Sequence, residues 1–345
     1  MIRDPKNDLV KLNFDSLKES IEISEGKTKR TVLRSVAKIF DPVGYLQPFI
    51  VRVKIILQDS WLLGLDWDTI FPPDLNKRWM EWCSETKYLK NPEFPRKFFQ
   101  STNYTQLTAH IFCDATPRAF GAVAYFRYID ETGEIKTSFI MAKGRVAPLK
   151  SLSLPRCELM GAVAAAKLAK YLKSILPKLC DNIHFWCDSM ITLCWIRKSP
   201  NVWKPFVANR VAEIKNICDP NQWHHCSGSE NPADLLSRGE RAETIFNSSL
   251  WQNGPSWLLE NEISWPKGSI VVPDEQLVNN EMRKHLNVFQ TATGEDNLQN
   301  SHQLLDLNKY SELSKVHRIT AWVHRFVHNS NPSSEKYHGP LTAFE

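Results

Sequence analysis

Two of the most apolar stretches in the chain each end on an aspartate. His110-Ile111-Phe112-Cys113 runs into Asp114, and Ile183-His184-Phe185-Trp186-Cys187 runs into Asp188. Short unbroken apolar runs of this kind read as buried strands, which need packed elements on both sides of their sheet. Two further acids open helices. Glu158 lies in the first turn of an Ala-rich helix predicted from Pro155 to Ile175, and Asp234 lies in the first turn of a helix opened by Asn231-Pro232-Ala233. Acids at strand ends and helix starts tend to converge on one edge of an α/β sheet.

The rest of the pattern builds that sheet. Ala109 to Cys113, Gly121 to Tyr128 and Ile135 to Ala142 predict a three-stranded meander, the last two strands joined by the turn at Asp130-Glu131-Thr132-Gly133-Glu134. Asn182 to Cys187 and Gln222 to Cys226 add two strands, with helices from Ser189 to Arg197 and from Val202 to Ile217 between them. Upstream, Leu9 to Phe14 alternates like a strand, Thr28 to Phe40 is a basic amphipathic helix and Phe49 to Leu65 is a second helix. Downstream, residues 273–306 are polar and expected to be mobile, and a last amphipathic helix runs from about Tyr310 to Val327.

A chain of 345 residues suits two or three domains. The expected division is a small helical segment over 1–100, an α/β domain over 105–240, and a linker with an accessory helix over 241–345. The first segment carries more apolar and aromatic surface than two short helices can bury. It is expected to dock through the Trp79 and Trp82 segment and to leave an apolar patch near its first helix.

Composition excludes several classes. A 42% hydrophobic share with 23% charged residues rules out disorder along the whole chain. The longest apolar candidate, Phe49 to Leu65, is broken by Arg52, Lys54 and Asp59, so no membrane span is predicted. The polar start, with no secretory signal, leads to the expectation of an intracellular protein, cytoplasmic or nuclear. The eight cysteines never form Cys-x-x-Cys and read as reduced thiols. A net charge of +5 permits a nucleic-acid partner without demanding one.

Taken singly, Glu158 and Asp234 could favour helix dipoles, and Asp114 and Asp188 could be turn residues. Gathered together, four like charges repel and need a cation. Oxygen-only ligands favour Mg²⁺ or Mn²⁺, and two such ions about 3.5–4 Å apart clamp both oxygens of a phosphodiester displacement. Other motifs carry less. Tyr128-Ile129-Asp130-Glu131 resembles a polymerase box but sits in the hairpin turn. His324 and His328 have zinc-like spacing without a following Cys-x-x-Cys, and the Asp-Thr-Gly or Asp-Ser-Gly loops of an aspartic peptidase do not occur.

The motifs Phe112-Cys113-Asp114-Ala115-Thr116, Leu154-Pro155-Arg156-Cys157-Glu158-Leu159, Trp186-Cys187-Asp188-Ser189 and Glu230-Asn231-Pro232-Ala233-Asp234-Leu235-Leu236-Ser237-Arg238-Gly239 resemble the ribonuclease H domain of Bel/Pao-type retrotransposon polyproteins. Thr28 to Gly44 is similar to the segment that follows the reverse-transcriptase palm, and Tyr310 to Val323 resembles the linker before integrase. The region is sometimes labelled a retrotransposon peptidase, a name without support in the residues. The resemblance implies a ribonuclease H-like mixed five-stranded sheet flanked by helices, with a small N-terminal helical domain. It implies that Asp114, Glu158, Asp188 and Asp234 bind two Mg²⁺ ions and that the RNA strand of an RNA–DNA hybrid is cut. It also implies that His225 assists proton transfer or product release, and that a polymerase palm and an integrase are partners in the polyprotein.

Basic residues outnumber acids between 101 and 240. Arg197, Lys198, Lys204, Arg210 and Lys215, on or beside the helices after Asp188, are the candidate phosphate contacts. Trp195 and Trp203 interleave them and are expected to be core. A nucleic-acid-binding remnant without catalysis is the alternative function.

Overall fold

The structure, a computed structural model, describes residues 2–23, 27–89, 93–99, 103–176, 182–266, 275–283, 313–331 and 336–341. It divides into two units, Met1–Lys284 and His285–Glu345. The first begins with β1 (Ile2–Asp4), β2 (Leu9–Lys11), α1 (Asp15–Ile23), α2 (Lys29–Val36), α3 (Gln47–Leu62), α4 (Pro73–Glu85) and β3 (Glu93–Pro95). There follow β4 (Thr105–Ala115), β5 (Ala119–Ile129), β6 (Ile135–Val146), α5 (Leu154–Ile175), β7 (Ile183–Cys187), α6 (Met190–Arg197), α7 (Pro205–Lys215), β8 (Trp223–His225) and α8 (Ala233–Arg238). Short helices α9 (Ala242–Asn247), α10 (Ser249–Asn253) and α11 (Glu275–Asn279) complete it.

The main sheet has the order β6-β5-β4-β7-β8. β4 to β6 form the antiparallel meander, and β4, β7 and β8 are parallel. This is the mixed five-stranded sheet expected from the sequence. Alternation along β4 and β5 sorts side chains between two cores. Ala109, Ile111, Cys113, Ala122, Ala124 and Phe126 face α5, whose Ala162, Ala165, Ala166 and Ala169 allow close approach. Phe112, Val123, Tyr125 and Trp186 face the opposite way, into a core shared with Phe49, Trp79 and Trp82.

That second core moves two expected boundaries. The first hundred residues do not stand apart: Trp82 stacks on Phe49 at 4.5 Å and donates its indole N–H to the Phe49 carbonyl, inside the layer that covers the sheet. Gly44, at φ +77°, presses against β6; a Cβ there would lie 2.0 Å from the Ala142 carbonyl oxygen. Residues 241–265 are likewise not a linker. Trp251, Trp257 and Leu258 are buried on the sheet, and Arg127 donates from β5 to the carbonyls of Leu258 (2.8 Å) and Glu260 (2.9 Å). Asn, Ser and Gly around these tryptophans make turns that aim them inward, which composition alone cannot distinguish from a linker.

The mobility expected for 273–306 falls largely outside the described residues. Within it, 275–283 is ordered: Val278 is buried, its carbonyl accepts from the Trp195 indole, and Glu281 pairs with Arg156 at 2.7 Å. Near the first helix, several large apolar side chains stay exposed. Leu33, Phe40, Trp61, Leu62, Trp67 and Ile70 remain exposed, whereas Trp79 and Trp82 are buried. The second unit contains α12 (Leu313–Ser330), whose Arg325 donates to the Pro340 carbonyl at 3.0 Å and whose His328 stacks on Tyr337 at 4.4 Å. No helix among the described residues is long and apolar enough to cross a membrane.

Candidate active site

Register places the two strand-end aspartates side by side. Cys113 pairs with Cys187 across the parallel β4–β7 ladder, so Asp114 and Asp188 are the next residues of adjacent strands at their C-terminal ends. Glu158 reaches the same edge because α5 starts there and lies directly on β4. Gly161 makes this possible: a Cβ at that position would meet the Asp114 carbonyl oxygen at 2.9 Å. Asp234 is brought in by the Asn231 side chain, which donates to the Cys113 carbonyl at 2.9 Å, and by Thr116, whose hydroxyl donates to the Ser237 carbonyl at 3.1 Å. These bonds tie α8 to the end of β4.

The four acids have different surroundings. Asp114 accepts from the Ser237 hydroxyl, Glu158 accepts from the Ser189 hydroxyl, and Asp234 pairs with Arg238 at 2.5 Å. Burial, reinforced by the Asp188 charge, pushes Asp114 up to about 7. Burial, then the charges of Glu158 and Asp234, pushes Asp188 up to about 6, and a hydrogen bond with Asp114 opposes that rise. Burial also raises Glu158, with a smaller contribution from Asp114. The electrostatic influence therefore runs among all four. As they stand, no three acidic, histidine or cysteine side chains among the described residues are grouped tightly enough to hold an ion.

The donor set still suits a hard divalent cation. It is all oxygen, it is mutually repulsive, and Ser189, Ser237 and Arg238 occupy oxygens that a cation would otherwise meet. Asp114 and Asp188 are raised above their unfolded-state values near 3.8, so folding favours their protonated forms. The stability this confers is present in full below about pH 4 and is lost as pH rises through about 6 to 7. In chelator, thermal scans of the native protein should fall across that window more steeply than scans of Asp114→Asn. Parallel curves for the two proteins would show that Asp114 is not buried as described.

His225 closes β8 opposite Cys187, one position from Asp188, and is half-buried. The basic candidates separate into two groups. Arg197 and Lys198 are exposed at the end of α6, roughly 12 Å along that helix from Asp188. Lys204 donates to the Asn280 carbonyl at 2.6 Å, and Lys215 donates to the Lys198 carbonyl at 2.8 Å. Arg210 lies 3.5 Å over the Phe206 ring and donates to Met160 Sδ at 3.1 Å. These last three side chains bind the helical layer to itself. Trp195 and Trp203 are buried core, and Asp130 to Glu134 is the hairpin turn. Sequence reasoning passed over Ser189, Ser237 and Arg238. The last two lie three and four residues after Asp234, the spacing that places side chains on one helix face.

A family model described as Pao retrotransposon-like RNaseH-like domain matches residues 28–189, which takes in α2 to α4 together with Asp114, Glu158 and Asp188. The resemblance read from the motifs is thereby borne out over that span, which does not reach the Asp234 motif or the segment from Tyr310. No curated protein matches the chain. Among solved structures, it is similar to the N-terminal ribonuclease H domain of a Mycobacterium tuberculosis protein fused to maltose-binding protein (12% identity, 39% of this chain, 94% of that one, TM-score 0.27). It is also similar to ribonuclease H1 of the halophilic archaeon Halobacterium salinarum (14% identity, 41% and 98%, TM-score 0.25). A third is the foamy viral protease-reverse transcriptase in complex with double-stranded DNA (14% identity, 62% and 34%, TM-score 0.34).

Proposed function

With residues 28–189 carrying a Pao retrotransposon-like RNaseH-like domain, we propose that this protein cleaves the RNA strand of RNA–DNA hybrids. The observation that carries this reading is the pair Asp114 and Asp188, the first buried and the second half-buried at adjacent strand ends, each raised in part by neighbouring acids. Asp114, Glu158, Asp188 and Asp234 would hold two Mg²⁺ ions, with Mn²⁺ able to substitute. When bound, such ions supply a nucleophilic water at neutral pH and stabilise the leaving oxygen. The chain's own part is to set the oxygens. The short α8, anchored to β4, brings up Asp234, and the ladder fixes Asp114 against Asp188. His225 is placed to take or return a proton beside the reacting phosphate. Hybrid recognition would rest on duplex shape and 2′-hydroxyl contacts.

Purified protein with a labelled hybrid should release RNA fragments with 3′-hydroxyl and 5′-phosphate ends in Mg²⁺ and none in chelator. Binding with no cleavage in either metal would instead support a catalytically silent remnant, the reading favoured by the Asp234–Arg238 ion pair. In a longer polyprotein, the exposed cluster around Trp61 and Ile70 would rest on the polymerase palm, with integrase as a further partner.

A further inference from the structure

Most of the cations near the proposed active site are already paired. Arg238 meets Asp234, Arg118 and Arg78 share Asp59, and Arg52 meets Glu85. Lys54, Lys143 and Arg145 differ. Among the described residues, none of the three forms an ion pair or a side-chain hydrogen bond, and Lys143 and Arg145 are exposed.

They come together at the margin of the sheet. Asp114 pairs with Gly121 and Gly121 with Gly144, so the backbone at Lys143 and Arg145 flanks a position two strands from Asp114, roughly 10 Å away. Their side chains project from the edge strand on the α5 face, opposite the α8 face that Asp114 and Gly144 share. Both line an open groove of about 460 Å³ between β6 and α5, floored by Met141, Met160, Val163 and Leu168. Lys54 arrives from the other side. Gln47, Val51, Lys54 and Gln58 form one stripe of α3. Gln47 sits against Gly144, Val51 packs with Val146, and Gln58 donates to the Ala147 carbonyl. Lys54 is therefore held along the β6 end, half-buried. Burial lowers its pKa, Asp41 opposes that, and Lys143 and Arg145 lower it further. Asp41, the acid that acts on Lys54, is held by backbone N–H groups of Tyr45 (2.9 Å) and Leu46 (2.8 Å), and it makes no ion pair with the three cations.

We propose that Lys54, Lys143 and Arg145 form a phosphate-binding patch that grips the backbone of a nucleic-acid duplex beyond the point where Asp114 and Asp188 engage it. This rests on the nucleic-acid reading given above. A duplex presents about one charge per 1.7 Å of axis, so one lying across Asp114 meets a patch about 10 Å away with several phosphates. Three cations with no ion-pair partner among the described residues, and only Asp41 acting on them from a distance, gain the most from that meeting. The patch also lies on a different element from Arg197 and Lys198, so two arms of a duplex would be held.

The test is fluorescence anisotropy with a labelled 24-base-pair RNA–DNA hybrid in chelator, where no cutting occurs, over a range of salt. Lys143→Glu/Arg145→Glu should weaken binding at least tenfold and reduce the magnitude of the salt slope by about 2. Lys136→Glu, at the far end of β6, changes net charge in the same direction and should leave the slope unaltered. Circular dichroism and thermal scans on all three confirm the fold. An unchanged slope in the double variant overturns the patch and turns it toward an acidic protein partner; failure of the native protein to bind any hybrid also overturns it. Patch-dependent binding by a native protein that never cuts would keep the patch and reject only the nuclease reading.

Discussion

Asp188→Asn should leave the protein folded and able to bind a hybrid while lowering RNA cleavage in Mg²⁺ roughly a thousandfold, about 4 kcal/mol of barrier. The substitution preserves shape and removes the charge that a cation needs. Its effect on stability should have the opposite sign. In the metal-free protein, Asp188 is half-buried beside Asp114; burial and the charges of Glu158 and Asp234 disfavour its charged form, and a hydrogen bond with Asp114 opposes them. Asparagine removes that repulsion, so the melting temperature in chelator at pH 8 should rise while activity disappears. Such opposition marks a residue kept for function at the expense of stability. Asp114→Asn should behave in the same way. Undiminished cutting by both variants would reject the four-acid site.

Ending the chain after Glu240 should abolish cooperative unfolding, although the four acids and all five sheet strands remain. The missing segment contributes Trp251, Trp257 and Leu258 to the core over Phe112, Tyr125 and Trp186. It also carries both carbonyls that hold the Arg127 guanidinium, and it supplies the Trp251 indole that donates to the Tyr45 carbonyl at 2.9 Å. Its loss leaves one face of the sheet wet and a buried charge without acceptors, a cost no rearrangement of the remainder recovers. A milder form is Trp251→Ala in the full chain, expected to cost about 3–5 kcal/mol from the cavity it opens. A 1–240 fragment that melts cooperatively near the native temperature would show that residues 241–265 are dispensable.

The sequence by itself determined the sheet and the positions of the acids along it. The runs into Asp114 and Asp188 are legible because a strand buried on both faces must be apolar at successive positions, so its polar end stands out. The helix around Glu158 is legible because an Ala-rich repeat at helical spacing has few other solutions. What the sequence could not decide was which neighbours those elements acquire. Trp82, Trp251 and Trp257 read as scattered aromatics among polar residues, and they share a core only because the chain returns to the same sheet face from residue 49 and again from residue 251. Local periodicity carries no information about which two distant segments meet. The same holds for charge. Arg210 and Lys215 have the composition of phosphate contacts, yet folding gives them Met160, Phe206 and the Lys198 carbonyl as partners. Lys54, Lys143 and Arg145 look unrelated in the sequence, and folding leaves them together with no ion-pair partner among the described residues. Which cations are free is settled by which acids and carbonyls lie within a few ångströms, and only the tertiary structure decides that.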